Sequence, residues 1–149
     1  MKKVNDLLEN LTSPFQAYTD FILKIGLGIA FFLHGYGKLP INQGFIDWLS
    51  SQGVPLSHII APLVAWSEIS AGIGILFGGI IAIKAQTLGN LVTRISGLAI
   101  VVIMINALLF AHSHWSIFIG ERGSVLFASE QLFLLLLGLY FFIKGNYNK

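Results

Sequence analysis

The chain has 149 residues, no cysteine and a net charge of +2; 55% of its residues are apolar and only 11% are charged. Water-soluble domains carry about a quarter charged residues, so lipid is the expected solvent. The missing cysteines exclude disulfides, thiolate metal sites, iron–sulfur ligation and dithiol redox chemistry. No basic run alternates with aromatics, so nucleic acid is not an expected partner.

The N-terminus, MKKVNDLLENLTSPFQ, begins basic and continues polar and acidic. It lacks the apolar core and small-residue cleavage site of a removable signal. It reads as a short cytoplasmic or interfacial helix with Leu7, Leu8 and Leu11 on one face. Residues 1–18 form this segment, 19–145 a membrane domain and 146–149 a short cytoplasmic tail.

A helix crosses the hydrocarbon with roughly 20 mostly apolar residues. Four segments qualify: Phe21 to Gly37, Ile59 to Ile83, Ile95 to Ala111, and Val125 to Ile143. Barrel strands would alternate polar and apolar residues, and LFLLLLGLYFFI does not. The expected fold is all-α, an integral membrane four-helix bundle with a short interfacial helix in the first outer loop. Lys2, Lys3, Lys24, Lys84, Arg94, Lys144 and Lys149 lie on one side, Lys38 and Arg122 on the other. That bias puts both termini in the cytoplasm of a multi-pass protein, in a cytoplasmic (inner) membrane of bacterial type.

The first outer loop, PINQGFIDWLSSQGVP, gathers Phe45, Ile46, Trp48 and Leu49 on one apolar face. Such a segment lies at the interface or folds over the bundle as a lid. Trp66 and Trp115 are expected at or just below that level. In WSEISAGIGILFGG, Ser67, Ala71, Gly74 and Gly78 share a face, with Gly72 and Gly79 nearer Glu68; such small-residue seams are material for helix packing.

Chain direction alternates from span to span, so distant residues share a depth. His34 and Lys38 end span one, and Glu68 lies two to three turns into span two. Asn106, His112 and His114 fall toward the outer end of span three, and Glu130 one to two turns into span four. The inner half is expected to hold little beyond Lys24, Lys84, Arg94 and Lys144, which can snorkel to headgroups. A carboxylate at the depth of Glu68 must be paired, hydrated or protonated. His34 and Lys38, four apart on one helix face, are its natural partners, with Gly26 and Ala30 continuing their stripe inward. The plainer reading has Glu68 and Glu130 bridging Lys38 and Arg122 only to fix helix register. His58 and His114 read as interfacial, and Glu121 and Arg122 as solvated.

The order LKIGLGIAFFLHGYGKL, then FIDWL, then AWSEISAGIGILFG resembles the DoxX family of small four-helix membrane proteins. Its pattern runs from a basic residue, here Lys24, to a His-Gly-x-x-Lys-Leu ending at His34 to Leu39. A glutamate followed by small residues comes next, here Glu68, and a glutamate opens the last helix, here Glu130. The likeness covers residues 20–145. Many members carry a glycine-rich Ser-x-Asp tail where this chain reads GNYNK, and some use cysteines that it lacks.

The resemblance implies a link to membrane oxidoreductase systems. The leading expectation is a subunit or accessory that binds a quinone or similar small redox molecule in an outward-facing pocket. Glu68, His34 and Lys38 would serve as proton relay and hydrogen-bond donors. His34, Lys38, Trp66, Glu68, Asn106, His112 and Glu130 would bind the molecule, with Phe31, Phe32, Trp66 and Phe127 forming the slot. An oxidoreductase component of this kind needs a soluble or membrane partner, or a bound cofactor, to supply electrons. Two alternatives stand beside it. One is a noncovalent haem or metal held by His34 and His112. The other is a scaffold or chaperone for partner proteins without catalysis. No internal repeat of the transporter kind is visible, and self-association is open.

Overall fold

The computed structural model describes residues 1–111, 115–121 and 125–146. Among these the chain is helical, apart from one isolated bridge between Ser116 and Val125. The helices are α1 (Lys2–Thr12), α2 (Thr19–Tyr36), α3 (Gln43–Ser51), α4 (Ser57–Lys84), α5 (Gln86–Asn106) and α6 (Glu130–Lys144). A 3₁₀ segment, Ser13–Tyr18, carries Pro14 in its first turn and separates α1 from α2. Across it the chain bends by 60°. No residue of α1 is buried, and Leu7, Leu8 and Leu11 stay exposed. α4 and the stretch Gln86–Phe110 are each long and apolar enough to cross a membrane; the bent pair of α1 and α2 gives a third candidate.

Helix ends follow local chemistry. Asn42 caps α3, its side chain accepting the Phe45 N–H at 2.9 Å. α3 stops at Gly53, whose φ of +77° suits a residue without Cβ. The Gly53 and Val54 N–H groups then donate back to Ser50 and Leu49 at 3.0 and 3.1 Å, the Schellman pattern. Ser129 caps α6 through the Leu132 N–H.

Two span boundaries differ from expectation. Span three was to begin at Ile95, but helix resumes at Gln86 after the single residue Ala85. The intervening QTLGNLVTR holds no proline, and Gly89 lets the chain double back against Ala82 and the Gly78 carbonyl. The stretch expected to be span four begins as a 3₁₀ turn at Leu126–Ala128, and α proper starts only at Glu130. Glu130 is therefore at the helix end, not one to two turns inside it, where its charge suits the N-terminal dipole.

The helices pack in the order α2, α4, α5, α6, around Leu27, Phe31, Ile75, Ile100, Met104, Leu134 and Phe141. Glycines set the spacing. A Cβ on Gly72 would lie 2.6 Å from both the Gly28 carbonyl and the Phe32 nitrogen. One on Gly35 would lie 2.5 Å from the Ala65 carbonyl, so α2 and α4 touch along their backbones. Gly97 similarly meets Gly138 and Phe142 of α6. The close-contact stripe of α2 is thus Gly28 and Gly35. Gly26, expected to face the bundle, has nothing within 4 Å of its Cβ position.

The end of the bundle expected to face inward is more polar than expected. Lys24 does not snorkel: it is only 7% exposed, its ammonium donates to the Asn146 side-chain oxygen, and it lies 5.4 Å from the centroid of Phe141. The Asn146 amide nitrogen donates to the Gly89 carbonyl (2.7 Å), Thr93 hydroxyl (2.8 Å) and Gly78 carbonyl (3.2 Å). Beside it, Lys144 binds Asp20 at 2.5 Å and the Tyr140 hydroxyl donates to the same carboxylate at 2.7 Å. Asn146 is thus folded back into the bundle end, where it joins α2, α4 and α5 just beyond α6.

Gly72→Ala should separate α2 from α4 and lower stability by about 1–3 kcal/mol, the usual cost of overpacking. Gly26→Ala meets open space and should raise stability by about 0.5–1 kcal/mol through helix propensity. Thermal unfolding of both variants in one detergent measures the contrast.

Candidate functional site

At the end of the bundle that carries His34 and Lys38 the helices enclose a cavity of about 570 Å³. α2 contributes His34, with Lys38 just beyond its end; α4 contributes Ile60, Val64 and Glu68. α5 contributes Val102, Ile103, Met104 and Asn106, continuing into Ala107 and Phe110 of the following π turn, and α6 gives Gln131. α3 lies over it, with Phe45, Trp48 and Leu49 facing inward. Leu49 is buried there, so α3 is packed onto the bundle as a cover. Its caps at Asn42 and Gly53 fix where this apolar face begins and ends.

The polar groups sit together in an otherwise apolar wall. Glu68 is 3% exposed, and Lys38 Nζ lies 2.5 Å from its Oε2. The same ammonium donates to the His34 carbonyl oxygen at 3.0 Å. An ammonium has three protons, so two are committed and one remains for an oxygen entering the cavity. α2 ends just before Lys38, whose N–H donates to the Gly35 carbonyl at 3.1 Å. The side chain can therefore turn back over the helix terminus toward α4. His34 Nε2 meets Glu130 Oε1 at 3.1 Å, and its ring stacks near Phe31 with centroids 6.4 Å apart. The Glu130 side chain is 61% exposed, so this second pair is solvated where the first is enclosed. Asn106 donates to the Val102 carbonyl at 2.8 Å, leaving its side-chain oxygen as an acceptor on the cavity.

The structure gathers His34, Lys38, Glu68 and Asn106 on one cavity, with Glu130 one contact away through His34. Trp66 is not among them. It lies on the outer side of α4 and is 58% exposed, beside Ser67 and Ser70. The reason is angular: Trp66 is two residues from Glu68, about 200° around a helix. The expected slot residues are also elsewhere. Phe31 is in the core, Phe32 stacks on Tyr36, and Phe127 stacks on Phe118. Phe45, Trp48 and Phe110 take their place. Gln131 was missed, although its position beside Glu130 at the start of α6 could have suggested it. His112, His114 and Arg122 lie outside the described residues, so the proposed His34–His112 ligand pair and the Arg122 bridge do too. Among the described residues no group of three or more His, Asp or Glu side chains could hold a metal ion.

Long apolar helices, backbone-close glycine contacts and a polar pocket at one end define a helical membrane protein. Its sequence matches the DoxX family model over residues 19–113, from α2 through α5 and just beyond. This chain belongs to the DoxX family. No curated protein and no solved structure matches it.

Lys38→Met leaves Glu68 as an uncompensated buried charge, and stability should fall by about 3–5 kcal/mol. Adding Glu68→Leu should restore most of it, since apolar replacements of a buried pair are often neutral. Glu130→Gln, at the solvated pair, should change stability by less than about 1 kcal/mol. A double-mutant cycle on thermal unfolding separates these cases; failure of Glu68→Leu to rescue would show that Lys38 contributes through some other contact.

Proposed function

We propose that this DoxX protein is a four-span subunit or accessory of a membrane redox system that binds a quinone or similar small redox molecule in its outward-facing cavity. α6 is the fourth span, and both termini lie in the cytoplasm. The grouping of Lys24, Lys84, Arg94 and Lys144 at the end opposite the cavity supports that orientation.

The observation that carries the reading is the Lys38 ammonium at the polar end of an apolar cavity, held by Glu68 and the His34 carbonyl with one proton uncommitted. A quinone needs an apolar slot for its ring and a donor for a carbonyl oxygen. Trp48, Phe45 and Phe110 supply the first and Lys38 the second. Reduction of a quinone takes two electrons and two protons. Glu68 and the His34–Glu130 pair are positioned to pass protons between the outer surface and the cavity. The electrons come from an oxidoreductase partner or its cofactor.

Titration of purified protein with a short-tailed quinone analogue should quench Trp48 fluorescence saturably. Lys38→Met should weaken binding roughly tenfold or more, the value of a charged hydrogen bond, and Glu68→Gln should weaken it by releasing the ammonium from position. Identical, non-saturable partitioning in all three proteins would end the proposal.

A further inference from the structure

A second depression, of about 350 Å³, lies between α4 and α5, away from the ligand cavity. Its lining includes Leu63, Trp66, Ser67 and Ser70 of α4 and Ser96 and Ala99 of α5. Ser70 is near the midpoint of α4 and Ser96 is the middle residue of α5. The groove therefore carries hydroxyls in a largely apolar lining, at the depth where the surrounding lipid offers nothing to bond.

Ser96 is only 7% exposed, and its hydroxyl overhangs Gly74, where an added methyl group would strike it. Among the described residues, the hydroxyls of Ser67, Ser70 and Ser96 have no hydrogen-bond partner. A hydroxyl on a helix can bond back to the carbonyl one turn earlier, as Thr12 does to Leu8 at 2.9 Å. These three do not. The Trp66 indole N–H also has no acceptor among the described residues. Trp66 stands about 14 Å along α4 from its first residue, deeper than indoles usually lie.

Acyl chains cannot satisfy hydroxyl or indole groups. A packed helix can, through its own hydroxyls and carbonyls, and small residues allow the approach. The face carries no charge, so it selects no charged partner. A hydroxyl is both donor and acceptor, so a row of them matches its own copy across a two-fold axis. We propose that this groove is the contact face for a second copy of this chain. α4 crosses α4, Ser67 and Ser70 bond to their mates, and each Trp66 enters the other copy's groove. The proposal stands apart from the ligand reading, because it uses no residue of the cavity.

The chain lacks cysteine, so one introduced thiol reports one contact. Ser70→Cys in native membranes, treated with copper–phenanthroline, should give a covalent dimer of twice the chain mass. Leu33→Cys, exposed on α2, should not. Energy transfer between labelled but otherwise unaltered copies in phosphatidylcholine vesicles should persist on lipid dilution, and Trp66→Ala should weaken association about tenfold. A Ser70→Cys dimer no more abundant than the Leu33→Cys background would overturn the proposal. So would a thiol adduct with a different protein, or energy transfer no higher than random proximity in the unaltered chain. The last reading holds even where a cysteine variant fails to insert.

Discussion

A carboxylate enclosed by apolar side chains needs a cation in contact, and Glu68 has Lys38. Much of this end of the molecule follows from meeting that need. α2 must end where its terminus can send an ammonium to α4, and it ends at Tyr36, two residues before Lys38. Gly35 lets the last turn of α2 lie against Ala65 and Ile69, which brings the two charges within reach. Beyond that turn α2 gives way to the segment leading into α3, and the space left between α4, α5 and α3 is the cavity. The pair therefore shapes the space as well as its polarity.

The opposite end solves a similar problem differently. Among the described residues Lys24 forms no ion pair; it meets a neutral amide, Asn146, and the face of Phe141. The amide passes the connection on to carbonyls and a hydroxyl on α4 and α5. Aromatic faces attract cations without adding a second buried charge. Both ends of the bundle are thus tied by lysines of the first long helical arm, one through a carboxylate and one through a carboxamide. Between them the helices meet largely through glycines and apolar side chains, with the Ser96 hydroxyl set against Gly74.

What could be read from the residues divides along physical lines. The pairing of Lys38 with Glu68 was legible because depth and charge leave a buried carboxylate few options. The DoxX membership was legible from the His34-to-Leu39 ending and the helix that carries Glu68. The apolar face of Phe45, Ile46, Trp48 and Leu49 was legible, but whether it met lipid or protein was not, since either solvent accepts Trp48. Trp66 was misplaced because depth along a helix says nothing of direction around it. Gly26 failed for the same reason. The role of Asn146 was hidden because a short tail shows no periodicity, and its partners lie 53 to 122 residues away.

The single residue Ala85 joins α4 to α5, and Gly78 and Gly89 let the two run backbone to backbone beyond it. A hinge this short, buttressed by direct main-chain contact, leaves the hairpin no slack. α4 and α5 must behave as one stiff plate forming the back wall of the cavity. The opposite side is held more lightly, since α3 lies between two loops and Leu49 is its one buried residue. The cavity thus has a braced wall behind it and a short, lightly anchored helix in front.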